Sequence, residues 1–62
     1  MKVITVCIPN PVKGYSEMIH RHVERYEINK ELRYLYLIRE GEISVAYNLD
    51  NIISYIVENE KE

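Results

Sequence analysis

Arg33-Tyr34-Leu35-Tyr36-Leu37-Ile38-Arg39-Glu40-Gly41-Glu42-Ile43-Ser44-Val45-Ala46-Tyr47 is the stretch whose reading decides the fold. Its apolar and aromatic residues run through two short segments that break at Glu40-Gly41, the pattern of a β-hairpin. A two-residue loop at that point sets Arg39 opposite Glu42, Ile38 opposite Ile43, Tyr36 opposite Val45 and Tyr34 opposite Tyr47. The last three pairs then share one face, in the aromatic and β-branched combinations that stabilise sheets. Leu37/Ser44 and Leu35/Ala46 fall on the other face. Glu-Gly is a weaker turn signal than Asn-Gly, because Glu tolerates positive φ poorly. Tyr34, Tyr36 and Tyr47, with Arg33 and Arg39 beside them, are the candidate binding residues, since Tyr and Arg are frequent interface anchors.

Working outward, Lys2 to Ile8 is a β-branched run with Ile4, Val6 and Ile8 on one face and Val3, Thr5 and Cys7 on the other. A strand apolar on both faces is covered on both faces. Pro9-Asn10-Pro11 ends it. Ser16 is placed to cap a helix, and Tyr15, Met18, Ile19, His22, Val23 and Tyr26 recur at steps of three and four. That spacing predicts a helix from Ser16 to about Glu27. After the hairpin, Asn48 caps a second helix with Asp50 in its first turn. Leu49, Ile52, Ile53, Ile56 and Val57 supply its apolar stripe, and the acids between Glu58 and Glu62 fray its end. The expected fold is α+β: a small β-α-β-β-α domain over residues 1–62, a three-stranded sheet with two helices on one face. The uncovered tyrosine face then calls for a second copy, so a homodimer is expected.

Sixty-two residues bury a small core, and such domains usually gain stability from a disulfide, a metal or a partner. Cys7 is the single cysteine, which excludes an internal disulfide and a cysteine-pair zinc site. At 47% apolar and 29% charged, the composition is that of a folded chain. No apolar run approaches the roughly 20 residues of a membrane span, and a lone thiol suits a reducing compartment, so a cytoplasmic protein is expected. Seven basic and four acidic residues lie in 1–39, one basic and six acidic in 40–62, for a net charge of −2. Two surfaces of opposite sign are expected to orient a partner.

Catalytic signals are missing. His20 and His22 lie about 200° apart on a helix and would share a face only on a strand, and His22 on the apolar stripe reads as a half-buried core residue. Ser16, Ser44 and Ser54 lack a His-and-acid arrangement, and Val12-Lys13-Gly14 matches no phosphate loop. The expectation is a non-enzyme with no cofactor and no metal.

Three resemblances extend this reading. Ile4-Thr5-Val6-Cys7-Ile8-Pro9 is similar to the strand that opens ribbon-helix-helix repressors. That resemblance implies a dimeric DNA-binding regulator, with a first helix from Ser16 to Tyr26, helix through residues 29–39, and Val3, Thr5 and Cys7 facing DNA. Thr5 is the residue able to bond a base edge, and Lys13, Arg21, Arg25 and Lys30 would meet phosphates. Met1 to Ile28 and Tyr34 to Val57 resemble the opening and closing parts of the thioredoxin and glutaredoxin family, which implies a single-cysteine redox protein built on Cys7. A second cysteine, and a proline immediately before Tyr34, are absent. Small β-α-β-β-α modules that stack RNA bases on sheet tyrosines offer a use for Tyr34, Tyr36 and Tyr47. The leading expectation is a non-catalytic regulatory protein that acts by binding a protein partner.

Overall fold

The computed structural model describes residues 1–61 and consists almost wholly of β-strand. The strands are β1 (Lys2–Asn10), β2 (Gly14–Val23), β3 (Arg25–Asn29), β4 (Tyr34–Arg39), β5 (Glu42–Asn48) and β6 (Ser54–Asn59), with one 3-10 turn at Leu49–Asn51. They form two antiparallel three-stranded sheets, ordered β2-β1-β6 and β3-β4-β5. The α+β expectation is therefore wrong, and so is the ribbon-helix-helix alternative, because Tyr34–Arg39 is strand. The expected first helix is β2 and the start of β3, and the expected second helix is the 3-10 turn followed by β6; the latter was expected to run on to Glu62, which lies outside the described residues.

The error has a physical source. In β2 the supposed stripe divides between two faces: Ser16, Met18 and His20 pair with Ile8, Val6 and Ile4, while Tyr15, Glu17 and Ile19 pair with Pro9, Cys7 and Thr5. Steps of three and four mix parities, so a stripe on a helix becomes two half-faces on a strand. Ile, Val, Tyr and Met serve either pattern, and tertiary pairing chooses. A central strand has two edges of backbone donors and acceptors to satisfy, and only strands can satisfy both. β1 takes β2 on one edge and β6 on the other.

The sheets enclose Ile4 and Val6 of β1, Val23 at the end of β2, and Leu35 and Leu37 of β4, all fully shielded from solvent. Val45, Tyr47, Tyr55 and Val57 pack around them. The molecule measures 34 × 30 × 14 Å, and its thin dimension matches two sheets stacked about 10 Å apart. His20 and Tyr47 meet across the gap with ring centroids 5.5 Å apart, as do Tyr26 and Tyr55 at 6.2 Å, both edge-on.

The chain passes between the sheets twice. At the first crossing β2 bulges opposite Val3 and His22 takes φ 57°. The Arg39 side chain donates from Nε and Nη2 to the Arg21 carbonyl at 3.1 and 2.7 Å, which closes the edge of β2 there. The second crossing is the 3-10 turn, where the expected cap holds: the Asn48 side chain accepts from the Asp50 amide at 2.8 Å. Asn10 accepts from the amides of Val12 and Lys13, and Asn29 from those of Glu31 and Leu32. These asparagines recur every 19 residues, and each folds its side chain into the turn that follows a strand.

The hairpin at Glu40-Gly41 forms as expected, with φ of 53° and 77° at its two loop residues. Arg39 faces Glu42 and Ile38 faces Ile43, also as expected. Beyond that the register slips by one: Leu37 faces Val45, Tyr36 faces Ala46, Leu35 faces Tyr47 and Tyr34 faces Asn48. Ser44 is the extra residue of the bulge. Its hydroxyl donates to the Leu37 carbonyl at 3.2 Å and accepts from Arg39 Nη1 at 2.8 Å. A one-residue slip sends every later side chain to the opposite face. Tyr47 is thereby turned inward.

Candidate interaction surface

The outer face of the β3-β4-β5 sheet is built in three rows. Tyr34 stands between Asn29 and Asn48, Tyr36 between Glu27 and Ala46, and Ile38 between Arg25 and Ile43. Tyr34 and Tyr36 are two apart on one strand, so they share this face. Their rings stack at 6.0 Å with planes 15° apart. Both rings are half-buried and the flanking Glu27, Ala46 and Ile43 are exposed, whereas Ile38 at the end of the face is buried. The rim is polar, and Arg25 pairs with Glu27 at its edge.

The structure thus divides the expected binding set. Tyr34 and Tyr36 stay together at the centre of an open face. Tyr47 leaves them for the interior, where its hydroxyl lies 2.6 Å from His20 Nε2. Arg33, with φ 58°, precedes β4 and donates from Nε and Nη2 to one Asp50 oxygen at 2.9 and 2.7 Å. Each charge of that exposed pair favours the other, which raises the guanidinium pKa and lowers the carboxyl pKa through the hydrogen bond first. Arg39 serves the β2 carbonyl and Ser44 rather than the tyrosine face. Sequence reasoning did not find Asp50 as the partner of Arg33, because seventeen residues separate them and only the β4–β5 ladder unites them.

The residues expected to touch nucleic acid do not converge. Thr5 and Arg21 lie on the outer side of the β2-β1-β6 sheet, Arg25 on the outer side of the other sheet, and Lys13 and Lys30 in two separate turns. The repressor geometry that would have united them needs helices at β2 and β4.

His20 and His22 lie on a strand but do not share a face, because the bulge intervenes. His20 points inward to Tyr47. Burial, reinforced by the Arg39 charge, lowers its pKa, and burial raises that of the Tyr47 hydroxyl. His22 is not a core residue: its side chain is 74% exposed. It reaches Glu60 from Nδ1 at 2.5 Å, and its amide donates to the same carboxylate at 2.8 Å. Ser16 caps no helix and accepts from Asn10 Nδ2 at 2.7 Å. Cys7, expected to be buried, is half-exposed on the outer face of β1. Among the described residues no group of three His, Cys, Asp or Glu is placed to hold a metal ion, and no helix is long and apolar enough to cross a membrane.

Comparison with protein-family models, with curated proteins and with solved structures returns no match.

Proposed function

We propose that this is a non-catalytic binding protein that regulates a protein partner, and that the partner docks on the outer face of the β3-β4-β5 sheet. The observation that carries this reading is the stacked Tyr34/Tyr36 pair at the middle of an uncovered sheet face. Two rigid aromatic rings provide apolar contact area at small entropic cost, and their hydroxyls accept and donate at the perimeter. Ala46 and Ile43 extend the apolar surface, and Asn29, Asn48, Glu27 and Arg25 form the polar rim that specific interfaces carry. The partner is a protein and not nucleic acid on grounds of charge: a net −2 gives little attraction to phosphate. The proposed compartment is the cytoplasm, where a single half-exposed thiol such as Cys7 persists reduced.

The test is co-purification from the native cell, with wild type compared against the double variant Tyr34→Ser/Tyr36→Ser. Both side chains lie outside the core, so circular dichroism should remain that of a β protein. A protein retained by wild type and lost from the variant supports the reading. Identical recoveries from the two baits, or recovery of nucleic acid alone, overturn it.

A further inference from the structure

The second open face belongs to the β2-β1-β6 sheet, and nothing in the binding reading above uses it. β1 is apolar on both sides, yet the β3-β4-β5 sheet covers only the side of Ile4, Val6 and Ile8. The other side presents Val3, Thr5 and Cys7 along the middle strand; no strand lies over them, while Glu60 and Lys61 flank the Val3 end and the Glu60 carboxylate reaches from the β6 edge to His22 of β2. Ile19 and Ile56 flank Thr5 from the two neighbouring strands. They are 55% and 57% exposed. Such a row across three strands is what a sheet-on-sheet contact buries.

The charges on this face indicate the occupant. Beside Val3, Arg21 stands at the β2 edge and Glu58 at the β6 edge, and both line one hollow with Val3 and Ile19. Two inter-strand spacings, about 10 Å, separate them. Among the described residues neither side chain is in an ion pair. Rotation by 180° about an axis that runs along β1 in the plane of the face exchanges the two edges and keeps each row at its own height. Arg21 then lies over Glu58 of a second copy, and Glu58 over its Arg21. In the next row Ile19 meets Ile56, and Thr5 meets Thr5. In the row after that Glu17 meets Ser54, so no like charges oppose one another in these rows.

We infer that this face is a two-fold interface between copies of this chain, in which Ile19, Thr5 and Ile56 form the apolar centre and two Arg21–Glu58 pairs form the rim. The face is about 14 Å wide by 20 Å long, from three strands at about 4.8 Å and Val3–Pro9 at about 3.3 Å per residue. Two such faces amount to about 560 Å² in flat projection, and side-chain relief leaves the buried total below the roughly 1,200 Å² at which stable specific complexes begin. The dimer is accordingly a weak, reversible one. Stacked sheets lie about 10 Å apart, so Cys7 faces Cys7 at a Cα separation too long for a disulfide, and association covers both thiols.

The experiment is sedimentation equilibrium of the full chain from about 1 to 500 μM, with variants Arg21→Glu, Glu58→Arg and the double exchange. All these side chains are exposed, and circular dichroism checks that each variant is folded. The wild type should be dimeric at the upper concentrations. Each single exchange replaces two attractive pairs with two repulsive ones and should weaken the dimer about tenfold or more. The double exchange should restore it to within about threefold of wild type. At the upper concentrations Cys7 should be protected from alkylation by N-ethylmaleimide in wild type and in the double exchange, but not in either single variant. A chain that stays monomeric throughout overturns the proposal, as does a dimer indifferent to both single exchanges. Tyr34→Ser/Tyr36→Ser leaves this dimer intact, which separates its failure from failure of the partner face; loss of the dimer in that variant alone would also overturn the assignment.

Discussion

Leu37→Ala and Tyr36→Ala change adjacent residues of β4 that point to opposite sides of one sheet, and their costs should differ in a predictable way. Leu37 is fully shielded in the core cluster. Its truncation forfeits about 2.4 kcal/mol at about 0.8 kcal/mol per buried carbon. The residual cavity raises that to about 3–4 kcal/mol. Tyr36 is half-buried on the outer face, where it loses the stack on Tyr34 and part of its apolar area. A stack of this kind is worth about 0.5–1.5 kcal/mol, so about 1–2 kcal/mol in all is expected. A chain of 62 residues has about 3–9 kcal/mol of stability to lose. Leu37→Ala should therefore sit close to the unfolding threshold while Tyr36→Ala remains well folded. In urea, with a slope near 1 kcal/mol/M for a chain this small, the midpoints should fall by about 3–4 M and about 1–2 M. The measurement is equilibrium unfolding followed by circular dichroism, at a single low protein concentration so that association does not contribute. Equal midpoints, or a larger loss for Tyr36→Ala, would show that the tyrosine side is the core and refute the inside-out assignment of β4.

Two further outcomes follow from local geometry. Glu40 holds φ 53° ahead of Gly41 in the hairpin loop, a conformation Asn accepts far more readily than Glu. Glu40→Asn should stabilise the fold by about 0.5–1 kcal/mol, visible as a raised urea midpoint; an unchanged or lowered midpoint would mean the turn is not strained. The His20 pKa is lowered in the folded chain from 6.5 by burial first and then by Arg39. The unfolded state therefore binds the proton more readily, so stability is complete above the unfolded pKa and declines as pH falls below about 6.5. His20→Gln should flatten that decline in a thermal-melt series between pH 7.5 and 5, and an identical slope in the variant would assign the acid sensitivity elsewhere.

Glu58 to Glu60 shows how closely sequence and structure can disagree over the same residues. As a helix end these acids would oppose the dipole; as the tail of β6 they lie beside β1, with the Glu60 amide bonded to the Met1 carbonyl at 3.0 Å and its carboxylate on His22. The candidate partner face was partly legible, because Tyr34 and Tyr36 are two apart on one strand whatever that strand pairs with. The open face of β1 was not legible: a strand apolar on both sides was expected to be covered on both, and within one chain only the Ile4/Val6/Ile8 side is. Its likeness to the repressor strand was misleading, since that likeness is local and a single strand is compatible with many partners.

Taken alone, the sequence determined the features that depend on a few neighbouring residues. These are the body of β1 (Lys2–Asn10), which runs two residues past Ile8, the end expected before Pro9, the two strands that meet at Glu40-Gly41, and the Asn48 cap. Each rests on a short β-branched or aromatic run bounded by turn residues, or on one residue's own φ and side-chain chemistry, which no distant contact need supply. Tertiary structure alone decided the state of residues 15–26 and 49–57, where Ile, Val, Met and Tyr satisfy a helical stripe and a strand equally. The two edges of β1 required hydrogen-bonded strands, and these segments were the ones able to provide them. Tertiary structure also decided the place of Tyr47, because the bulge at Ser44 is invisible in the residue pattern and a shift of one residue exchanges the core face for the solvent face.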